Sequence, residues 1–122
     1  AFLMPRDENS IVDAPFQMAM DEYLFMKTRS LFQFIDDGHY WMDAEHLAKL
    51  LRMKKTQLIE LHVANNSLIT SFQRTLESPD KQVVVSYNHI GALLLACLAQ
   101  SESAPRVRRD LALFVHQLHQ MK

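Results

Sequence analysis

The chain has 122 residues, 48 % of them hydrophobic, and a net charge of −1: enough apolar material for one domain around a single core, and too little net charge for a surface that steers polyanions as a whole. Its single cysteine excludes an intrachain disulfide, and its two glycines leave no glycine-rich phosphate loop, which removes the common nucleotide-binding enzymes. The longest apolar run, IGALLLACLA at 90–99, is far short of the roughly 20 residues that cross a bilayer, and no basic-then-apolar leader opens the chain, so a soluble, cytoplasmic protein is expected, with Cys97 a small buried hydrophobe.

Residues 1–14 contain Pro5 and no sustained period, which predicts an irregular lead-in. With Asp13 as cap and Pro15 in the first turn, Phe16, Met20, Tyr23 and Leu24 recur at helical spacing and predict a short amphipathic helix. LFQFI at 31–35, the turn pair Asp37-Gly38 and a second strand His39–Met42 predict a β-hairpin. Asp43 is placed to cap a helix carrying Ala44, Leu47, Ala48, Leu50 and Leu51 and ending near Arg52 or Met53. A second helix is expected from Lys55 or Thr56 to Ala64, with Leu58, Ile59, Leu61 and Val63 as its apolar residues and Asn65-Asn66 as terminator.

Beyond it, Ser71–Leu76 and Gln82–Tyr87 read as a hairpin around the turn SPDK, the second strand being the more persuasive because Val83, Val84 and Val85 are β-branched. Asn88 to about Gln100 is apolar nearly all round and predicts a buried central helix. A last helix opens near Ser103-Ala104-Pro105 with a stripe of Val107, Leu111, Phe114, Leu118 and Met121. These elements predict a mainly helical α+β fold with a helix-turn-helix, small β-hairpins and two packed carboxy-terminal helices. An acidic, Met-rich extension over 1–30 precedes the domain at 31–122.

The two helices from Ala44 to Ala64 form the strongest constellation. A turn of about three residues between them is the helix-turn-helix spacing, with Thr56, Gln57, Glu60 and His62 expected to face outward and Lys54, Lys55, Asn65 and Asn66 to flank them. Amides of this kind can bond base edges and lysines can anchor phosphate. Two packed surface helices explain the same pattern equally well, and Glu60 opposes an approaching polyanion. Arg106, Arg108 and Arg109 at the start of the last helix suit phosphate, or else pair with Asp110 or Glu102. His116 and His119 share a helix face without a third ligand nearby in sequence, Asp36-Asp37 suits a turn, and no nucleophile elbow is present, so neither metal, cofactor nor enzymatic activity is expected.

In order, these elements resemble the BRO-N and KilA-N group of DNA-binding domains found in phage antirepressors, Rha-like phage regulators and large DNA viruses. Trp41, Ala44, Leu47, Ala48 and Leu51 match the W-x-x-A-x-x-L-A-x-x-L helix of that group, and Ile59 with His62-Val63 stand in for its second helix. KQVVVSY, IGALLLACLA and SESAPRVRRDLALFVHQL follow in matching order, so the likeness spans about 31–120. It implies a transcriptional regulator or antirepressor-like protein that binds double-stranded DNA, with helix 55–64 in the major groove. Residue chemistry then assigns Thr56, Gln57 and Asn65 to bases and Lys54, Lys55, Arg106, Arg108 and Arg109 to phosphates. A homodimer is expected, because one short helix reads few base pairs. The rival is a module that binds a repressor or other protein without touching DNA, favoured by the near-neutral charge and the Met- and Phe-rich stretch 16–34.

Overall fold

The computed structural model describes residues 22, 23, 25–77 and 80–120. The expectations for the lead-in, Asp13, Pro15, Phe16, Met20, Leu24, the Ser78-Pro79 part of the turn and Met121 lie outside the described residues.

Asp37 and Gly38 both take positive φ, 54° and 73°, the backbone of a two-residue turn whose twist matches the strands it joins. It connects β1 (Phe34–Asp36) to β2 (His39–Asp43), with Phe34 opposite Trp41. The second hairpin, β3 (Gln73–Glu77) with β4 (Val83–Asn88), also forms. The two hairpins are not separate: β4 pairs with β2 through Trp41↔Asn88, Met42↔Tyr87 and Asp43↔Ser86, giving one antiparallel sheet in the order β1-β2-β4-β3.

Alternation along the strands divides this sheet into two faces. Met42 and Tyr87, both fully buried, point to the helices. Trp41, Ser86 and Arg74 share the opposite face. There the Arg74 guanidinium lies 5.3 Å from the centre of the Trp41 ring and reaches Asp36 at 3.4 Å and Asp37 at 3.3 Å. Because Arg74 belongs to one edge strand and Asp36 to the other, the sheet must curl around Trp41. The indole is only 2 % exposed although it stands apart from the main core cluster, and its Nε1–H donates to the Asp36 carbonyl at 3.0 Å.

Five helices and a short 3₁₀ turn pack on the inner face among the described residues, beyond a first helical segment, α1 (25–29); they are α2 (Ala44–Leu51), α3 (Lys55–Ala64), α4 (Asn66–Ile69), α5 (His89–Leu98) and α6 (Ala104–Gln120). Asp43 caps α2 as expected, accepting the His46 amide hydrogen at 2.7 Å. Gln33 holds that cap in place: its Oε1 accepts from the Asp43 backbone N–H at 2.8 Å and its Nε2 donates to Asp43 Oδ2 at 3.2 Å.

α2 ends on Arg52, whose φ of 56° is left-handed, with the Arg52 amide donating to Lys49 and the Met53 amide to Ala48. Glycine is the usual occupant of this position. The left-handed backbone costs a side-chain-bearing residue about 1–2 kcal/mol, more than the roughly 0.4–1 kcal/mol of added unfolded-state entropy a glycine brings. Arg52→Gly is therefore expected to raise stability by roughly 0.5–1 kcal/mol, seen as a higher urea midpoint at unchanged slope.

α3 departs from the expected pattern. Leu58 and His62 are its buried residues, Ile59 and Leu61 are half-buried, and Val63 is 65 % exposed. His62 therefore faces inward and Val63 outward, the reverse of the sequence expectation, because position 62 follows Leu58 by one helical turn and 63 falls beyond the buried face. Asn65 ends α3 as expected, but α4 and a 3₁₀ turn (Thr70–Phe72) carry the chain on to β3.

Asn88 caps α5 by accepting the amide hydrogens of Ile90 and Gly91. A Cβ on Gly91 would lie 2.9 Å from Phe72 Cβ, so the glycine permits close approach of α5 to the 3₁₀ turn. α5 buries Ala92, Leu95 and Ala96, while Leu93, Leu94 and Leu98 are half-buried and Cys97 is exposed. The expected central helix forms, packed by α6, β2, β4, α3 and α4; the expectation of a buried cysteine is corrected, because Cys97 falls on the one strip of α5 that no element covers. In α6 Val107, Leu111 and Phe114 are buried and Leu118 is half-buried.

Phe114 is the hub of the core. Its ring lies 5.2 Å from Phe25, 4.7 Å from Phe32, 5.0 Å from Tyr40 and 6.1 Å from His89, centre to centre. Phe25 comes from the stretch ascribed to the extension, so this part of 1–30 is built into the same core. No helix of the described residues is long and apolar enough to cross a membrane.

Candidate nucleic-acid interface

α2, the three residues Arg52–Lys54 and α3 reproduce the helix-turn-helix spacing. Leu47 and Leu51 of α2 and Leu58 of α3 are fully buried, which fixes α2 as a core helix and leaves the turn and the opening of α3 at the surface. Lys54, Lys55, Thr56 and Gln57 are all exposed, and the first turn of α3 holds no acid.

Gln57 is partly committed: its Oε1 accepts the Lys54 backbone N–H at 2.9 Å, capping α3. The Lys54 ammonium has no acceptor with which to return that bond. What Gln57 offers outward is its NH₂ group, a donor for purine N7 or O6 or thymine O4. Thr56 is uncommitted and lies on the same outward face as Glu60 and Val63. Asn65 is half-buried and spends one N–H on the Leu61 carbonyl at 2.9 Å, so it works first as the end of α3.

Two further cations stand beside the expected lysines. Lys49 and Arg52 are exposed, and none of Lys49, Arg52, Lys54 and Lys55 forms an ion pair among the described residues. Four bases thus fall within 49–55 without an intervening acid. The sequence already groups Lys49 and Arg52 with Lys54 and Lys55 as a basic cluster able to touch phosphate, and the turn brings the end of α2 beside the start of α3.

The arginine triplet of α6 is split. At about 100° per residue, with Val107, Leu111 and Phe114 pointing inward, Arg106 and Arg108 fall on opposite flanks and Arg109 points away from the core. Arg106 and Arg109 are exposed and Arg108 is half-buried. Arg109 lies 3.6 Å from the Asp110 carboxylate, and the two line a shallow pocket with Lys27, Thr28 and Leu31, where α6 meets α1. His116 and His119 are exposed, and among the described residues no three His, Cys, Asp or Glu side chains converge as metal ligands would.

A scan against protein-family models and searches of curated proteins and of solved structures give no match for this chain.

Proposed function

We propose that the protein is a DNA-binding regulator of antirepressor type, which meets duplex DNA with the α2–α3 turn and the opening of α3. The observation that carries this reading is the exposed, acid-free row Lys49, Arg52, Lys54 and Lys55 at the amino-terminal end of α3, none of which forms an ion pair among the described residues. The helix dipole adds positive potential at that end. Lys49, Arg52, Lys54 and Lys55 would hold phosphates while Thr56 and the Gln57 NH₂ meet base edges, with Arg106 and Arg109 as a separate phosphate contact. Arg108 and Asn65 contribute less in this reading, being half-buried. A homodimer would set two such helices on adjacent half-sites.

The experiment is a mobility-shift titration with pooled genomic fragments at two salt concentrations. Binding through four phosphates is expected to weaken on the order of a hundredfold between 50 and 200 mM salt. If no shift appears at low salt, the DNA reading is lost.

A second reading, capture of a protein partner without DNA, is favoured by the apolar side chains left at the surface. Tyr23 and Met26 are 60 % and 58 % exposed at i, i+3 spacing, and Val63 is exposed on the outward face of α3. In that case the partner binds equally well before and after the lysines are reversed.

A further inference from the structure

His62 of α3 is 9 % exposed and has a partner on each ring nitrogen. Nδ1 is 2.8 Å from the Tyr87 hydroxyl on β4, and Nε2 is 3.2 Å from the Thr70 hydroxyl in the 3₁₀ turn. Thr70 in turn donates to Asn66 Oδ1 on α4. These four side chains fix their own proton directions. Thr70 has one hydrogen and gives it to Asn66, so toward His62 it can only accept. Nε2 must then carry the proton, Nδ1 must be the acceptor, and Tyr87 must donate to it. The chain runs one way: Tyr87 O–H to Nδ1, Nε2–H to Thr70, Thr70 O–H to Asn66.

We infer that this directed chain is an acid-sensitive latch, holding the end of α3 and all of α4 against the sheet while His62 is neutral and releasing them when His62 takes a proton. A proton can enter only at Nδ1. It turns that nitrogen into a donor aimed at a hydroxyl that is already donating, and the Tyr87 hydrogen must swing away into a fully buried site. Tyr87 is the titratable group in contact with His62. α4 and the 3₁₀ turn present no charged residue, and neither does α5 from Ile90 to Leu98; on α2, Glu45 and Lys49 are exposed and His46 is half-buried. On α3 itself Glu60 is exposed, and among the described residues no carboxylate forms an ion pair with His62 to compensate the imidazolium.

The pKa directions agree with this geometry. Burial lowers the His62 pKa below its ordinary 6.5 and raises that of Tyr87 to about 12. Well above pH 6.5 the imidazole is neutral in both folded and unfolded chains, and the latch is intact. As the pH falls below 6.5 the unfolded chain takes the proton first, so stability drops until the folded His62 titrates as well. The inference does not depend on α3 binding DNA.

Long-range ¹⁵N–¹H NMR of the intact protein tests it. At neutral pH His62 is expected as the Nε2–H tautomer. On acidification, amide-exchange protection over 62–72 should fall at least tenfold at the His62 midpoint while α6 keeps its protection. Tyr87→Phe removes a bond made to the neutral ring and should raise that midpoint. If Tyr87 were instead the acceptor, the midpoint would fall. An Nδ1–H tautomer, a lowered midpoint in Tyr87→Phe, or unchanged protection over 62–72 through the His62 titration would each overturn the latch. Should Tyr87→Phe not fold, the tautomer and the exchange profile of the unaltered chain still decide.

Discussion

Phe114→Ala is expected to destabilise the fold by about 3–5 kcal/mol. The ring is fully buried and touches four others drawn from three separate parts of the chain: Phe25 and Phe32 near the start, Tyr40 on β2 and His89 at the head of α5. Removing it takes away the transfer energy of the ring and leaves a cavity that these neighbours, each anchored in a different element, cannot close together. Against a total stability of about 5–15 kcal/mol for a domain of this size, such a loss brings unfolding close to ambient conditions. α1 should respond most, because Phe25 stacks directly on the lost ring at an interplanar angle of 13°. Urea denaturation measures the loss; a change below about 1 kcal/mol would mean that Phe114 is not the hub.

Lys55→Glu is expected to weaken DNA binding sharply with little effect on the fold. The side chain is exposed and forms no ion pair among the described residues, so nothing in the core depends on it. A carboxylate in the first turn of a helix is even favourable by about 0.3–1 kcal/mol. At the interface the same change removes a phosphate contact and puts a negative charge where the backbone would pass. Affinity should fall by at least about tenfold, and the salt slope by about one. An unchanged mobility shift would remove α3 from the interface, while partner capture that survives the substitution in a pull-down would favour the protein-binding reading. Arg52→Gly makes a useful companion, being expected to strengthen the fold while weakening the same contact.

The local parts of this fold were legible in the sequence because each depends on a few adjacent residues. Asp37-Gly38 specifies its turn, Asp43 and Asn88 specify helix starts, and the apolar spacing of α2 and α6 is read directly from Leu47, Leu51, Val107, Leu111 and Phe114. What stayed hidden was set by distant pairings. Nothing near Trp41 says that Asn88 lies beside it, so the joining of two hairpins into one sheet was missed. The orientation of α3 is not legible because its apolar residues surround the helix almost evenly; its inward side is the one that carries Leu58 and His62, and the partner of His62, the Tyr87 hydroxyl, is remote in sequence. Of the site, the bases at 54 and 55 were legible as composition. The separation of Arg106 from Arg108 follows from the buried face of α6, and the prior commitments of Gln57 and Asn65 from the local ends of α3.

The curl of the sheet around Trp41 gives the molecule a built-in optical probe. Trp41 is the only tryptophan in the chain, and it sits on the side of the sheet away from the Phe114 hub, beneath a guanidinium strapped to Asp36 and Asp37. Intrinsic fluorescence therefore watches one face of the sheet, while far-ultraviolet circular dichroism watches the helices on the other. Where the two signals move together, the strap and the helical core melt as one cooperative body. Where fluorescence moves first, as salt or acid loosens exposed ion pairs, the sheet has uncurled around an intact helical layer.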